Sequence, residues 1–413
     1  MIIKKIKIKN FKGISLLEYN PKKINLIVGK NNTGKTSFLE AINLIFNLNE
    51  IKQIYPENLS SIIKSGIDYS ELSAITDKRT LKLKIKKADE IETVDEFKKS
   101  LIDGLIKSIR IKDNIEISKD LKNELGNQLT GLMDPELKTL LLKESIVVVK
   151  DEKETNVYYQ IYRMSIQGLL SKLESILDNL LKELEKKVNI KIKDFEVRLN
   201  LRNLLFELSS LMVKRPASDK KEVFLINDLV REIKRVALSE ENPEIIQRMQ
   251  EVEQIIKEHT LIENLQRLAF NYVTFNNGNG KKSLIVPFSF LGDGFKALVG
   301  LLWYISSKDV SDKILLLDEP EVHMHPGYIQ DLIKIIIKFS KQFNIQFFIV
   351  THNGDFIDLI FDETLSTEER EYMEKEASLL RMQKTKNYTT SEYLDYKEAK
   401  HTKEELLLDL RGI

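Results

Sequence analysis

The chain has 413 residues, 42% of them hydrophobic, which is enough for one large domain or two to three smaller ones and too apolar for wholesale disorder. Lysine and arginine number 64 against 63 aspartates and glutamates, a net charge of +1, so any DNA contact has to come from a local patch rather than from the overall field. There is no cysteine, which excludes disulfides, thiolate zinc sites and cysteine nucleophiles and suits a cytoplasmic location, while the absence of a signal-peptide core or of any apolar run near the roughly 20 residues that span a bilayer argues against a membrane.

Ile2 to Ile8 alternates isoleucine with lysine, the pattern of a half-buried strand, with Asn10-Phe11-Lys12-Gly13 as its turn. Ile24 to Val28 is a more buried strand, and it runs directly into Gly29-Lys30-Asn31-Asn32-Thr33-Gly34-Lys35-Thr36, which fits G-x-x-x-x-G-K-[ST] at every fixed position. From Ser37 onward, Phe38, Leu39, Ile42, Ile45 and Phe46 recur at helical spacing. A strand, a glycine loop and a helix in that order form a phosphate cradle: only glycines let backbone N–H groups wrap closely round a phosphate, and the helix N-terminus adds partial positive charge. Gly29 through Ser37 are the expected nucleotide-binding residues, with Lys35 on the β- and γ-phosphates and the Thr36 hydroxyl on magnesium.

Thr80 to Lys87 sets Leu81, Leu83 and Ile85 against Lys82, Lys84 and Lys86, an amphipathic strand whose lysine face is read as solvated rather than as a DNA stripe. Val94 to Leu142 is helical in pattern and broken by Gly and Pro. Ser145 to Lys150 and Asn156 to Met164 read as a hairpin round Asp151-Glu152-Lys153-Glu154. Ile166, Leu170, Leu173, Leu177, Leu180 and Leu184 make a short heptad-like seam, and Pro243 opens a helix with Ile245, Met249, Val252, Ile256 and Ile262 on its apolar side. Each seam covers about three heptads, so a compact helical arm is expected rather than a rod. The turn Asn276 to Gly280 ends that region. Leu284 to Phe290 reads as a strand, and Phe295 to Ile305 as an apolar helix after Gly292-Asp293-Gly294.

Lys313 to Leu317 is an unbroken aliphatic run, the pattern of a parallel strand buried on both faces, and it ends in Asp318-Glu319-Pro320. Ligands of open α/β sheets bind outside the carboxyl ends of the strands, so this acid pair faces a phosphate or metal site. Asp318 is expected to hold magnesium through water, and Glu319 to orient or deprotonate the attacking water. A helix follows from Tyr328 to Phe339, and the buried strand Phe347 to Val350 ends in Thr351-His352-Asn353, so His352 stands beside the acids as a sensor of the γ-phosphate. The tail carries a strand at Leu379 to Met382, a tyrosine-rich link and a helix from Tyr396 to Leu410. Together the phosphate loop and the strand ending in Asp318-Glu319 are the two halves of a Mg-dependent nucleoside-triphosphate hydrolase site, with Glu319, His352 and Lys35 as its catalytic residues.

The set Gly29 to Thr36, Leu291-Gly292-Asp293-Gly294-Phe295-Lys296-Ala297-Leu298, Leu315 to Pro326 and Thr351-His352 resembles the ABC-type ATPase heads of SMC and double-strand-break-repair proteins. The run Asp318-Glu319-Pro320-Glu321-Val322-His323-Met324-His325-Pro326 is closer still to Old-type (overcoming lysogenization defect) ATPases. The resemblance implies an α/β fold: a mixed, mostly parallel sheet with helices plus an antiparallel β subdomain, formed by residues 1–90 and 270–413 with the 145–164 hairpin, and interrupted by a mostly helical insert at 91–269. It also implies two ATP molecules sandwiched in a homodimer, where the Gly292 and Gly294 amides of one protomer reach the γ-phosphate held by the other. The family's L-S-G-G-E signature has serine where this chain has Gly292, and Ser289 is a substitute hydroxyl. The family's Q-loop glutamine has two candidates, Gln53 and Gln160. His323 and His325 lack a third ligand for zinc. No D-x-D follows Glu319, so a Toprim nuclease is not expected and any nuclease belongs to a partner. The implied role is a DNA-directed process, repair or anti-phage defence, against a nucleotide-dependent scaffold with little turnover.

Overall fold

The computed structural model describes residues 1–51, 55, 60–87, 127, 146–150, 154–158, 222–230, 233, 243–258, 262–276, 283–306, 312–322, 324–361, 365–385, 388–404 and 410. Its organising layer is a six-stranded sheet in the order β15 (Thr389–Asp395), β14 (Ala377–Lys384), β3 (Ile24–Val28), β13 (Gln346–Val350), β12 (Ile314–Asp318) and β8 (Val223–Ile226). All neighbours are parallel except the edge strand β15. Every residue of β3 and β13 is buried, as their unbroken apolar sequences require of strands covered on both faces.

The alternating side chains of this sheet enter two different cores. Ile314, Leu316, Phe348 and Val350 pack with Phe38, Leu39 and Ile42 of α1 (Lys35–Phe46) and with Ile3, Ile6 and Ile8 of β1 (Ile3–Phe11). Leu315, Leu317, Phe347 and Ile349 pack on the other side with α2 (Pro243–Glu258), α3 (Asp293–Ile305), α4 (Pro326–Phe343) and α5 (Gly354–Phe361). The second sheet is antiparallel throughout, in the order β2 (Ile14–Tyr19), β1, β4 (Tyr69–Thr76), β5 (Thr80–Lys87), β6 (Ile146–Lys150) and β7 (Glu154–Tyr158). Helix α1 lies between the two sheets. On β5, Leu81, Leu83 and Ile85 are buried while Lys82 and Lys84 are exposed. A third, three-stranded sheet joins β9 (Leu265–Leu268), β10 (Tyr272–Phe275) and β11 (Leu284–Pro287).

Two buried amides pin these layers together. Asn25 on β3 accepts from the Tyr19 hydroxyl at 2.9 Å, the Ser378 hydroxyl at 3.1 Å and the Lys22 N–H at 2.8 Å, and its NH₂ donates to the carbonyls of Lys22 and Phe347, both at 2.8 Å. Gln346 accepts from the Ile3 N–H at 2.8 Å and donates to the carbonyls of Ile3 at 3.0 Å and Lys22 at 2.8 Å, tying the antiparallel sheet to the parallel one. Burial, helped by Tyr393 and opposed by the Ser378 hydrogen bond, drives the Tyr19 hydroxyl well above the usual range for a phenol.

The structure departs from the sequence expectations at several points. Strand β8 forms an edge of the central sheet although its residues fall within 91–269, the stretch read as a helical insert; four residues are too few to show a period. Helix α2, from the same stretch, packs Met249, Val252 and Ile256 into the core beside α3 and ends at Glu258, short of Ile262. Strands β2 and β4 were not expected, and the tyrosine-rich link after β14 is itself strand β15. The 284–290 strand stops at Pro287 and passes into a 3-10 turn over Phe288–Phe290, because proline cannot donate to a ladder. Of the 145–164 hairpin, the described residues form β6 and β7, which pair with each other, and β6 also pairs with β5. The helical pattern at 94–142 apart from residue 127, the seam from Ile166 to Leu184, Gln53, Gln160 and His323 lie outside the described residues.

Replacing Asn25 by alanine removes the acceptor of the Lys22 N–H and of the Tyr19 and Ser378 hydroxyls and a donor to the Phe347 carbonyl, leaving Tyr19 only its 2.8 Å bond to Ser378. The expected loss is about 3 kcal/mol of unfolding free energy in urea; a loss below about 1 kcal/mol would show that the network does not hold the layers.

Candidate functional site

The phosphate-type loop begins where β3 ends. Gly29, Asn32 and Gly34 all have positive φ, at 146°, 63° and 97°. Gly29 is required for a second reason: a Cβ there would lie 2.2 Å from the Met382 carbonyl oxygen on β14. The loop is braced from inside by Thr33, whose hydroxyl donates to the Lys30 carbonyl at 2.9 Å and whose own carbonyl accepts from Thr389 at 3.1 Å. The Lys35 ammonium is folded into the loop, donating to the carbonyls of Gly29 at 2.8 Å and Lys30 at 2.9 Å. Burial holds its pKa below the usual lysine value, against the opposing pull of Glu319 and Asp318. Lys30, Asn31, Asn32 and Thr36 are exposed at the rim, and Ser37 is half-buried on the first turn of α1.

The acid pair stands beside this loop because β12 and β3 flank the same strand. In β13, Val350 pairs with Asp318 on one side and with Ile27 on the other. The Thr36 hydroxyl donates to Asp318 Oδ1 at 3.4 Å. Burial raises the Asp318 carboxyl above its ordinary value, with Glu319 and Glu40 adding to the rise and Thr36 and Lys35 opposing it. A buried carboxylate next to a hydroxyl is an all-oxygen donor set, the kind that suits a hard divalent cation. Glu319 leaves the strand with φ 50°, a left-handed turn that costs a non-glycine residue about 1–2 kcal/mol. That turn is held by the Glu319 N–H donating to Val350 O at 2.9 Å and by Val322 N–H donating to Glu319 O at 3.1 Å. It aims the carboxylate at His352, whose Nδ1 lies 2.7 Å from Glu319 Oε1. A carboxylate oxygen accepts here when Nδ1 carries the ring hydrogen.

Gly292 and Gly294 belong to another element, the N-terminal end of α3. Gly292 is its N-cap and makes no side-chain cap, and a Cβ there would meet nothing within 4 Å. Gly294 is different: a Cβ would lie 2.8–3.3 Å from Tyr328, so this glycine is demanded by packing. Asp293 is drawn toward Lys296, 3.5 Å away, and Lys296 also donates to the Ser289 carbonyl at 3.0 Å. His325 caps α4, its Nδ1 accepting from the Gly327 N–H at 3.3 Å with Pro326 in the first helical turn. The His-Pro pair therefore starts a helix, and among the described residues no cluster of His, Asp or Glu could hold a metal by itself.

Sequence reasoning did not single out Asn227 and Asp228. Ile226 pairs with Leu317, so these two residues follow β8 at the level of Asp318 and Glu319, and they line a cavity of about 270 Å³ together with both acids, Ala297 and Pro320. The run Val-Phe-Leu-Ile before Asn-Asp was the available signal for a strand delivering polar groups to the same edge. Glu321 also passed without a role. It is buried, its Oε1 accepts from the Thr351 hydroxyl, and burial pushes its carboxyl up from 4.5 to about 7.

Two outcomes are expected. Gly294→Ala destabilises the protein by about 1–3 kcal/mol because the Tyr328 ring has to move, while Gly292→Ser, with open space and a favourable N-cap side chain, stays within about 0.5 kcal/mol of wild type in thermal unfolding. The folded-state value of Glu321 lies above that of an exposed glutamate, so its ionisation costs no stability below pH 4.5. The resulting destabilisation grows as pH rises and levels off above pH 7, at an order of about 3 kcal/mol. Glu321→Gln cannot ionise and should gain on wild type between about pH 5 and pH 8 in urea unfolding; an equal difference at both values excludes a titrating buried carboxyl.

Three solved structures are similar to the chain at low identity. A Smc head bound to the C-winged helix domain of ScpA is 12% identical with a TM-score of 0.45, covering 97% of this chain and 99% of its own. An SMC head domain from Thermotoga maritima is 14% identical with a TM-score of 0.42, covering 96% and 100%. A Smc head domain with an extended coiled coil, bound to the C-terminal domain of ScpA and derived from Pyrococcus furiosus, is 14% identical with a TM-score of 0.44, covering 98% and 100%. No curated protein matches the chain. The family description "AAA ATPase domain" matches residues 1–357, a span that takes in the phosphate loop, Asp318-Glu319 and His352. By that match the chain belongs to the AAA ATPase domain family.

Proposed function

We propose that the protein is a Mg-dependent ATPase of the ABC-type, SMC-like kind that closes into a homodimer on ATP. The observation that carries the reading is the meeting, at the carboxyl edge of one sheet, of the Thr36 hydroxyl with Asp318 and of Glu319 with His352. On this reading Gly29–Ser37 cradle the phosphates, and Lys35 exchanges its two loop carbonyls for phosphate oxygens. Thr36 and Asp318 would hold magnesium, which when bound draws off charge from the phosphate oxygens. Glu319 orients the attacking water and receives its proton, and His352, hydrogen-bonded through Nδ1, keeps that carboxylate aimed. The Gly292 and Gly294 amides at the N-terminus of α3 serve the partner protomer's nucleotide. The residues from Asp318 to Pro326, with their Old-type pattern, support a DNA-directed process such as repair or anti-phage defence, with any nuclease in a partner protein. Residues 91–269 apart from β8 and the elements packed with it would form the inserted arm.

A scaffold that binds ATP and turns it over slowly is the second reading. It is favoured by Gly292, which supplies no hydroxyl at the position where the resembled signature has serine. Steady-state ATPase and nucleotide binding separate the two. Lys35→Ala should lose ATP binding, and Glu319→Gln should bind ATP but lose turnover by about a hundredfold or more. Crosslinking of Glu319→Gln should trap a dimer only with ATP, and Gly292→Ser should raise turnover. Tight ATP binding with no measurable wild-type turnover would establish the scaffold reading instead.

A further inference from the structure

Glu321 takes no part in the chemistry above, yet it is 2% exposed and lies two residues from Glu319. Its Oε1 accepts a hydrogen bond from the Thr351 hydroxyl, and its Oε2 is buried with no hydrogen-bond partner among the described residues. An unpartnered carboxyl oxygen in the interior is costly, and an apolar residue of similar size would avoid the cost, so stability does not account for this side chain.

The position of its partner does. Thr351 is fully buried and follows Val350, the last residue of β13. Its hydroxyl, besides donating to Glu321, accepts from the Asn353 N–H at 3.0 Å. The Asn353 side chain accepts in turn from the N–H groups of Asp355 at 2.8 Å and Phe356 at 3.3 Å, at the start of α5. A continuous line of hydrogen bonds thus runs from the turn after β12 to α5, and His352 is carried between its links. The Glu319–His352 pair has side chains 34% and 49% exposed. An exposed ion pair holds its own geometry with only about 0–1 kcal/mol, so the register of Glu319 against His352 has to be set from beneath.

We propose that Glu321 is a positioning residue that acts through Thr351, locking the 351–353 turn so that His352 stays on Glu319. The proposal rests on the reading of Glu319 and His352 as the hydrolytic pair. It assigns the second glutamate of the Asp318-Glu319-Pro320-Glu321 run to alignment of the first. Because Glu321 touches neither the phosphate loop nor Asp318, its loss should leave nucleotide binding alone and act on turnover.

The test is a set of variants of the full chain. Glu321→Ala and Thr351→Val should lower kcat by about tenfold to a hundredfold, with KM for ATP within about twofold. Glu321→Gln, whose carbonyl still accepts from Thr351, and Thr351→Ser should recover most of the loss. In a His352→Ala background, Glu321→Ala should add nothing, the signature of a residue that works through the histidine. Losses that add in the double variant, or a glutamine variant as impaired as the alanine one, would overturn the proposal. Imidazole ¹⁵N shifts of His352 give a readout that does not need turnover: they should move in Glu321→Ala and Thr351→Val and return in Glu321→Gln. Unmoved shifts in folded variants sink the positioning role even if the wild type proves inactive, whereas an inactive wild type with shifts that move defeats only the hydrolytic reading. Should Glu321→Ala fail to fold, the nearly isosteric Thr351→Val carries the same comparisons.

Discussion

Strand β13 is hydrogen-bonded in parallel to β3 on one side and to β12 on the other, with Val350 opposite both Ile27 and Asp318. That single pairing brings the end of the phosphate loop strand, the Thr351–His352 turn and the Asp318-Glu319 pair to one edge. Its register is not set by hydrophobic alternation, because both faces of β3 and β13 are apolar and a one-residue slip would still bury them. The polar anchors set it. Asn25 donates to Phe347 O, and Gln346 grips the backbone of Ile3 and Lys22, bonds that a slipped strand could not make. A stability device in the interior therefore decides the alignment of the site about one strand length away.

At that edge, buried charges are left partly uncompensated. Asp318 is pushed up and Lys35 pushed down by burial, and the Glu319 backbone is held in a left-handed turn. Such groups are poised to be stabilised by what the site binds: a cation for Asp318, an anion for Lys35. The Lys35 ammonium meanwhile satisfies itself on loop carbonyls. Binding thus exchanges one set of charge-assisted bonds for another rather than creating them from solvent.

Much of the edge was legible in the amino-acid sequence. The G-x-x-x-x-G-K-[ST] spacing, the helical period after it, and the aliphatic runs before Asp318 and His352 each encode a local element, and each element formed. The short or mixed elements were not legible. Val223–Ile226 is too brief to carry a period, and Thr389–Asp395 is polar because it lies at a sheet edge. His325 reads as a motif residue and turns out to cap a helix. Gly292 and Gly294 look alike in the sequence; only Tyr328 distinguishes them.

What the sequence by itself determined is the set of local devices: a loop that only glycine permits, strands apolar enough for a doubly covered sheet, and acids and a histidine at their ends. Those follow from short-range sterics and periodicity, which are properties of neighbouring residues. Tertiary structure alone decided which strands lie side by side, and so which ends share a site. It set Asn227 round one cavity with Glu319, Thr36 beside Asp318, and Glu321 on the Thr351 hydroxyl. Strand order is a contact between segments hundreds of residues apart, fixed by the packing of both cores at once, and no local pattern records it.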